Sequence, residues 1–131
     1  KDLCAPLGDG VHLRPNTPPA DMATMYQAAD MMAHASLREP FGIALIEAMA
    51  CGVPVIGHGG HEVTGWIIGE GGTTVDMTLP GALASTISQW IANPSLVADL
   101  GQAARQRALG NFSPATIVPL YRQLYDRVFG G

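Results

Sequence analysis

The sequence predicts an α/β fold: a parallel sheet of about four strands, with helices on both faces and a helical C-terminus. Three observations predict it. Short apolar bursts near residues 11–13, 31–34, 53–56 and 73–75 alternate with stretches of helical periodicity, the pattern of parallel strands joined by crossover helices. Val53-Pro54-Val55-Ile56 is apolar throughout, as a strand buried on both faces must be. Beyond residue 79 only helical periodicity remains. There is no internal repeat and no low-complexity segment.

In chain order, Val11-His12-Leu13 reads as a short strand closed by Pro15, Pro18 and Pro19. A helix follows, with Asp21 as its N-cap and Met22, Met25, Tyr26 and Ala29 facing inward. Met31-Met32-Ala33 is the second strand, with His34 inside it. Phe41 to Cys51 has helical spacing, with Ile43, Ile46 and Ala50 on one face. Gly52 ends that helix, because glycine adopts the left-handed cap conformation without cost. Val53 to Ile56 is the buried strand. The glycine-rich stretch from Gly57 to Gly72 reads mainly as loop, with one helical turn after Glu62. Thr73-Thr74-Val75 is the last strand. Helices then run over Leu79–Ala92 and Ser95–Leu109. A third opens at Ser113-Pro114, an N-cap followed by proline at the first helical position. Ile117, Leu120, Tyr121, Leu124, Tyr125 and Val128 form its apolar stripe.

The 131 residues predict one domain, large enough for a core. Apolar residues make up 47% and charged residues 14%, with a net charge of −4. Seven Lys plus Arg, spread along the chain, argue against nucleic acid as a partner. No apolar run approaches the roughly 18 residues of a membrane span, although peripheral membrane contact by another part of a larger protein is compatible with this. Cys4 and Cys51 lack C-x-x-C spacing and fit reduced thiols of a cytoplasmic protein better than a disulfide framework. No signal peptide is evident. The chain opens at Lys1, in what reads as the tail of a helix, and so resembles a fragment.

Chemistry concentrates between Ser36 and Ile56. A strand ends, a short loop carries Glu39, and a helix opens at Phe41-Gly42. Ligands of open parallel sheets bind at the carboxyl ends of the strands. A helix start there offers free N–H groups and partial positive charge to a phosphate or a sugar hydroxyl. Gly42 admits close approach to the backbone. Glu39 and Glu47 are eight residues apart. A helix running through both would separate them by about 12 Å and rotate them by about 80°. That is too far for an acid/base pair on one bond, and fits two contacts along one elongated ligand. By spacing alone, Glu39 is equally a carboxylate at a helix start, and Glu47 an exposed helix glutamate.

Ser36-x-x-Glu39-x-Phe41-Gly42, followed by Glu47-Ala-Met-Ala-Cys-Gly-Val-Pro-Val-Ile, resembles the Glu-x7-Glu signature of family 4 and related retaining glycosyltransferases of GT-B fold. The similarity continues through Gly59-Gly60-His61-Glu62-Val63, Val75-Asp76, Leu83-Ala-x-x-Ile, Leu100-Gly101, Ala104-Arg105 and Asn111-Phe112-Ser113. The resemblance implies a partial doubly wound, Rossmann-like sheet forming the C-terminal, nucleotide-sugar-binding domain. It implies that Glu39 faces the transferred sugar and the reaction centre, and that Glu47 bonds the ribose hydroxyls. It places the amides around Phe41, Gly42 and Ile43 against the diphosphate or the sugar, and Ser36 at the shaping strand end. Glu62, in the Gly-Gly-x-Glu loop, would stand beside the donor sugar. Pro15 and Asn16 would lie beside the base, although Pro15 replaces a glycine common there. The implied activity is hexosyl transfer from a nucleoside-diphosphate sugar with retention, by front-face departure and attack. No cofactor and no metal are implied, because helix ends and basic side chains neutralise the leaving diphosphate.

The resemblance starts late. The family's domain opens with a strand, a glycine, a basic Arg/Lys pair, a helix and a second strand, none of which is found in residues 1–131. Nor is the N-terminal domain that would hold a glycan, lipid or small-molecule acceptor. The basic pair grips the diphosphate, and such charge stabilisation is a large catalytic term. The expectation is that residues 1–131 alone do not catalyse transfer. In the order 3-2-1-4-5-6, losing the first two strands leaves the Met31 strand as a bare edge. The Val11 strand would then stand across a gap or move in beside Met31, and the last helix would lack a partner. Rival readings are a non-catalytic nucleotide-sugar-binding or pairing module, and a GT-B epimerase or phosphorylase.

Smaller signals point nowhere else. His58-x-x-His61-Glu62 matches neither zinc protease order. Gly57-x-Gly59-Gly60 lacks the third glycine of a dinucleotide fingerprint, with Glu62 in its place. Met22, Met25, Met31 and Met32 read as core filler, and His34 as a satisfied core residue.

Overall fold

The computed structural model describes residues 5–130. Lys1 and Cys4, read above as helix tail and reduced thiol, lie outside the described residues. A 3-10 turn at Ala5–Gly10 leads into an irregular segment and then α1 (Pro19–Gln27), β1 (Met32–His34), α2 (Ile43–Ala50), β2 (Val55–His58), α3 (Glu62–Ile68), a 3-10 turn at Gly69–Gly71, β3 (Gly72–Val75), α4 (Ala82–Ile91), α5 (Pro94–Phe112) and α6 (Pro114–Phe129).

Among the described residues the sheet has three strands in the order β1-β2-β3, all parallel. Met32 pairs with Val55 and His34 with Gly57; Val55 pairs in turn with Gly72 and His58 with Val75. The expected fourth strand at Val11–Leu13 is absent: the segment is irregular, and Leu13 is 68% exposed. Neither the gap nor the pairing beside Met31 is realised. Three residues followed by proline-rich chain bury too little to form a ladder without a neighbour. β1 is therefore the sheet edge, as expected.

Both faces of β2 are covered. Val55 joins the main cluster, and a Cβ on Gly57 would meet Thr64 and Ile68 of α3. Ile56 points the other way, since side chains alternate along a strand, and it too is fully buried, outside that cluster. The main cluster joins Leu45, Ala48 and Met49 of α2, Val53, Val55, Ile67 and Ile68 to Ala104 and Ala108 of α5. Small residues on α5 allow this close packing. A Cβ on Gly101 would stand 2.4 Å from the Gly52 carbonyl oxygen, so nothing larger than glycine fits against the turn that ends α2.

Local boundaries follow capping chemistry. α1 begins at Pro19, so Asp21 lies in its first turn and is not its N-cap. Gly42 (φ 75°) caps the start of α2, and Gly52 (φ 83°) follows its end as expected. The stretch after Glu62 forms a seven-residue helix, longer than the single turn expected. Arg107 explains much of this: its Nε donates to the Ile67 carbonyl at 2.7 Å and its Nη2 to that of Trp66, capping α3 from forty residues away. Arg105 does the same for α2, donating to the Ala50 carbonyl at 2.5 Å. α6 opens on the Ser113 hydroxyl, which accepts from the Thr116 amide. None of its residues is buried, and Leu120, Tyr121, Leu124, Tyr125 and Val128 are all more than half exposed. Its first turn meets α5, where the Thr116 hydroxyl donates to the Leu109 carbonyl, while the rest of the apolar stripe lies open among the described residues.

Candidate functional site

The carboxyl ends of the three strands carry the polar groups. β1 ends at His34, and the loop 35–42 leads from it to the start of α2. Glu39 lies in that loop, ahead of the helix, so the two glutamates do not share one helix and the separation reckoned for a continuous helix does not apply. Its carboxylate turns back on the chain. Oε1 accepts from the Gly42 amide at 2.7 Å and from the Phe41 amide at 3.3 Å; Oε2 accepts from His34 Nε2 at 2.7 Å. These donors hold the acid ionised: the His34 bond, then the Gly42 amide, lower it below the usual carboxylate range. Glu39 thus acts as a carboxylate at the helix start, the plainer of its two readings.

Gly42 is needed for this geometry. Its left-handed φ turns the chain into α2 while its N–H stays bonded to Glu39, and a Cβ there would meet Leu45 Cδ1 at 2.9 Å. Phe41 and Ile43 flank it and are more than half exposed. Because Glu39 takes the Phe41 and Gly42 amides, the unclaimed amides of the first turn are those of Ile43 and Ala44, which have no preceding helical turn to bond.

Glu47 is exposed on α2 and lines a groove between α1 and α2, with Met22, Tyr26 and Cys51. The Tyr26 hydroxyl donates to Glu47 Oε2 at 3.2 Å. Burial and the Glu47 carboxylate push that hydroxyl up from 10.0 to about 12, so Tyr26 stays protonated and remains a donor. Pro15 and Asn16, both exposed, line a different groove with Arg14, Asp21 and Thr24 at the start of α1. Ser36 is half-buried in the 35–42 loop, and Glu62 is exposed at the first position of α3. The structure therefore joins Glu39 directly to Phe41 and Gly42, while Glu47 lines one groove and Pro15 and Asn16 another.

A third cleft opens where β2 and β3 end, lined by His58, Gly59, Gly60, Thr74, Asp76 and Thr78. His58 Nδ1 accepts from the Met77 amide at 3.2 Å and stands 4.0 Å from Asp76. Among the described residues no three His, Cys, Asp or Glu side chains converge as a metal site. No helix among them is long and apolar enough to cross a membrane.

Two partners were not legible from sequence. His34, read as core, is the side-chain donor to Glu39. Tyr26, read as an inward face of α1, is the donor to Glu47. The one signal for His34 is its position at the end of a strand five residues before Glu39.

Residues 4–107 match the family described as Glycosyl transferases group 1. The chain is 38% identical over 115 residues to a D-inositol 3-phosphate glycosyltransferase of Salinispora arenicola, covering 86% of this chain and 25% of that protein. It is 33% identical to an N-acetyl-alpha-D-glucosaminyl L-malate synthase of Bacillus anthracis, covering 80% of this chain and 28% of that one. Among solved structures it superposes on sucrose-phosphate synthase from Thermosynechococcus elongatus with a TM-score of 0.86 and 33% identity, over 95% of this chain and 32% of that one. The chain thus spans about a quarter to a third of the length of these proteins. A family match over residues 4–107, most of its length, places this chain in the group 1 glycosyl transferase family.

Proposed function

We propose that this chain is the donor-binding part of a retaining glycosyltransferase. It would bind a nucleoside-diphosphate sugar whose glycosyl group passes to an acceptor held by a further domain. The observation that carries the reading is the start of α2. There an ionised carboxylate, a left-handed glycine and two unclaimed amides meet at the carboxyl end of a parallel strand. Glu39 would accept from a hydroxyl of the transferred sugar. The Ile43 and Ala44 amides would face the diphosphate, and Glu47 would take the ribose hydroxyls, in the groove where Tyr26 fixes one of its oxygens. Ser36 and Glu62 would border the sugar, and Pro15 and Asn16 the base. The reaction as proposed uses no metal, the leaving diphosphate being met by the helix start and by basic side chains.

One observation favours the non-catalytic module: Glu39 already occupies the Phe41 and Gly42 amides, as an anion would. Calorimetry with UDP- and GDP-sugars tests the binding that both readings share and that Glu47 is assigned. Glu47→Ala is expected to weaken binding by about tenfold or more, the loss of hydrogen bonds to a charged group. Equal affinity in the variant and the parent would remove the ribose assignment.

A further inference from the structure

We propose that His34 is a positioning residue for Glu39, and that it selects the oxygen Glu39 offers to its ligand. The functional half of this rests on Glu39 facing the transferred sugar; the structural half does not.

A carboxylate has two oxygens and about four lone-pair sites. Oε1 already accepts two bonds, from the Gly42 and Phe41 amides. Oε2 accepts one, from His34. The remaining acceptor site is therefore on Oε2, the oxygen His34 holds. The backbone amides alone pin one oxygen and leave the group free to swing about it. The bond to Oε2 fixes the second oxygen and hence the plane of the carboxylate.

His34 suits this role because it is itself held. It is the last residue of β1, paired with Gly57 of β2, and its side chain is only 23% exposed. An ionised carboxylate can only accept, so Nε2 must carry the proton, whether the imidazole is neutral or charged. Among the described residues, His34 is the only titratable side chain within bonding distance of Glu39. An apolar residue at the same strand position would keep the sheet but release Oε2.

The test is NMR on the 131-residue chain labelled at histidine nitrogens and glutamate carboxyl carbons. In the neutral ring, His34 is expected to carry its proton on Nε2. The Glu39 midpoint is expected to lie below that of an ordinary glutamate, to rise in His34→Ala, and to return most of the way in His34→Gln, whose amide can donate from the same place. A proton on Nδ1, or an unchanged Glu39 midpoint in His34→Ala, would overturn the proposal. The tautomer is read on the unaltered chain, so an unstable variant still leaves a decision. Titrating the same samples with UDP-glucose and GDP-mannose separates the two layers: absence of binding to the unaltered chain counts against the donor reading, while the tautomer and midpoint still decide the role of His34.

Discussion

Glu39→Ala is expected to lower kcat/KM for glycosyl transfer by at least about a hundredfold in the longer protein with an acceptor domain that the proposed function requires, the scale seen when one preorganised charge-stabilising group is removed from a reaction centre. In the proposed reading the carbon that loses the diphosphate becomes electron-poor, and Glu39 would be the ionised group facing it. Alanine also removes the acceptor for the Gly42 and Phe41 amides, so part of the loss could come through the start of α2. Glu39→Gln separates the two effects. Its carbonyl oxygen can take both amides, and its NH2 can donate to His34 Nε2 once the neutral ring carries its proton on Nδ1, so the loop keeps its shape while the charge is lost. Glutamine is therefore expected to leave the circular dichroism and melting temperature nearly unchanged and still to reduce kcat/KM by more than about tenfold. Full activity in Glu39→Gln would mean that the carboxylate serves only the helix start.

The second large effect is on stability. Leu45 is fully buried at the centre of the cluster that joins α2 and α5 to the sheet. Leu45→Ala is expected to cost about 2–5 kcal/mol, through lost transfer energy and the cavity left behind. For a domain of this size that lowers the melting temperature by roughly 10 °C or more. The damage would reach the site, because the Leu45 side chain packs directly beneath Gly42. Ile43→Ala, two residues away but 63% exposed, should change stability by no more than about 0.5 kcal/mol. Thermal denaturation of both variants tests the pair. Similar losses from the two would show that α2 does not bury the face described here.

What was readable in advance was local. The elements from Met31 to Ile56 declare themselves through apolar content, the glycine that ends α2 and the all-apolar strand that follows, but the spacing chose Ile43, Ile46 and Ala50 where α2 buries Leu45, Ala48 and Met49. None of these signals depends on distant chain. The misses required tertiary information. Val11–Leu13 has strand-like residues, but a strand exists only with a neighbour, and none flanks it. Residues 62–68 look like loop because glycines surround them. They form a helix because Thr64, Ile67 and Ile68 are buried and Arg107 caps the far end; packing outweighs propensity. The Glu-x7-Glu spacing pointed to both glutamates, and the loop expected around Glu39 is the one found, so the separation reckoned for a helix through both does not hold. Nor could spacing show that His34 and Tyr26 stand against these glutamates, since side-chain partners 5 and 21 residues apart meet only once the sheet and α1 are in place.

The central claim, that one nucleotide sugar lies along the start of α2 from Glu39 to Glu47, is tested most directly by following backbone amide signals while a UDP- or GDP-sugar is added at millimolar concentration. The expected result is saturable movement of the Phe41–Ala44 amides together with signals beside Glu47, from a single binding event. Saturable movement confined to the cleft between Trp90, Pro54 and Val97, at the opposite end of the strands, or no movement with any donor tried, would contradict it.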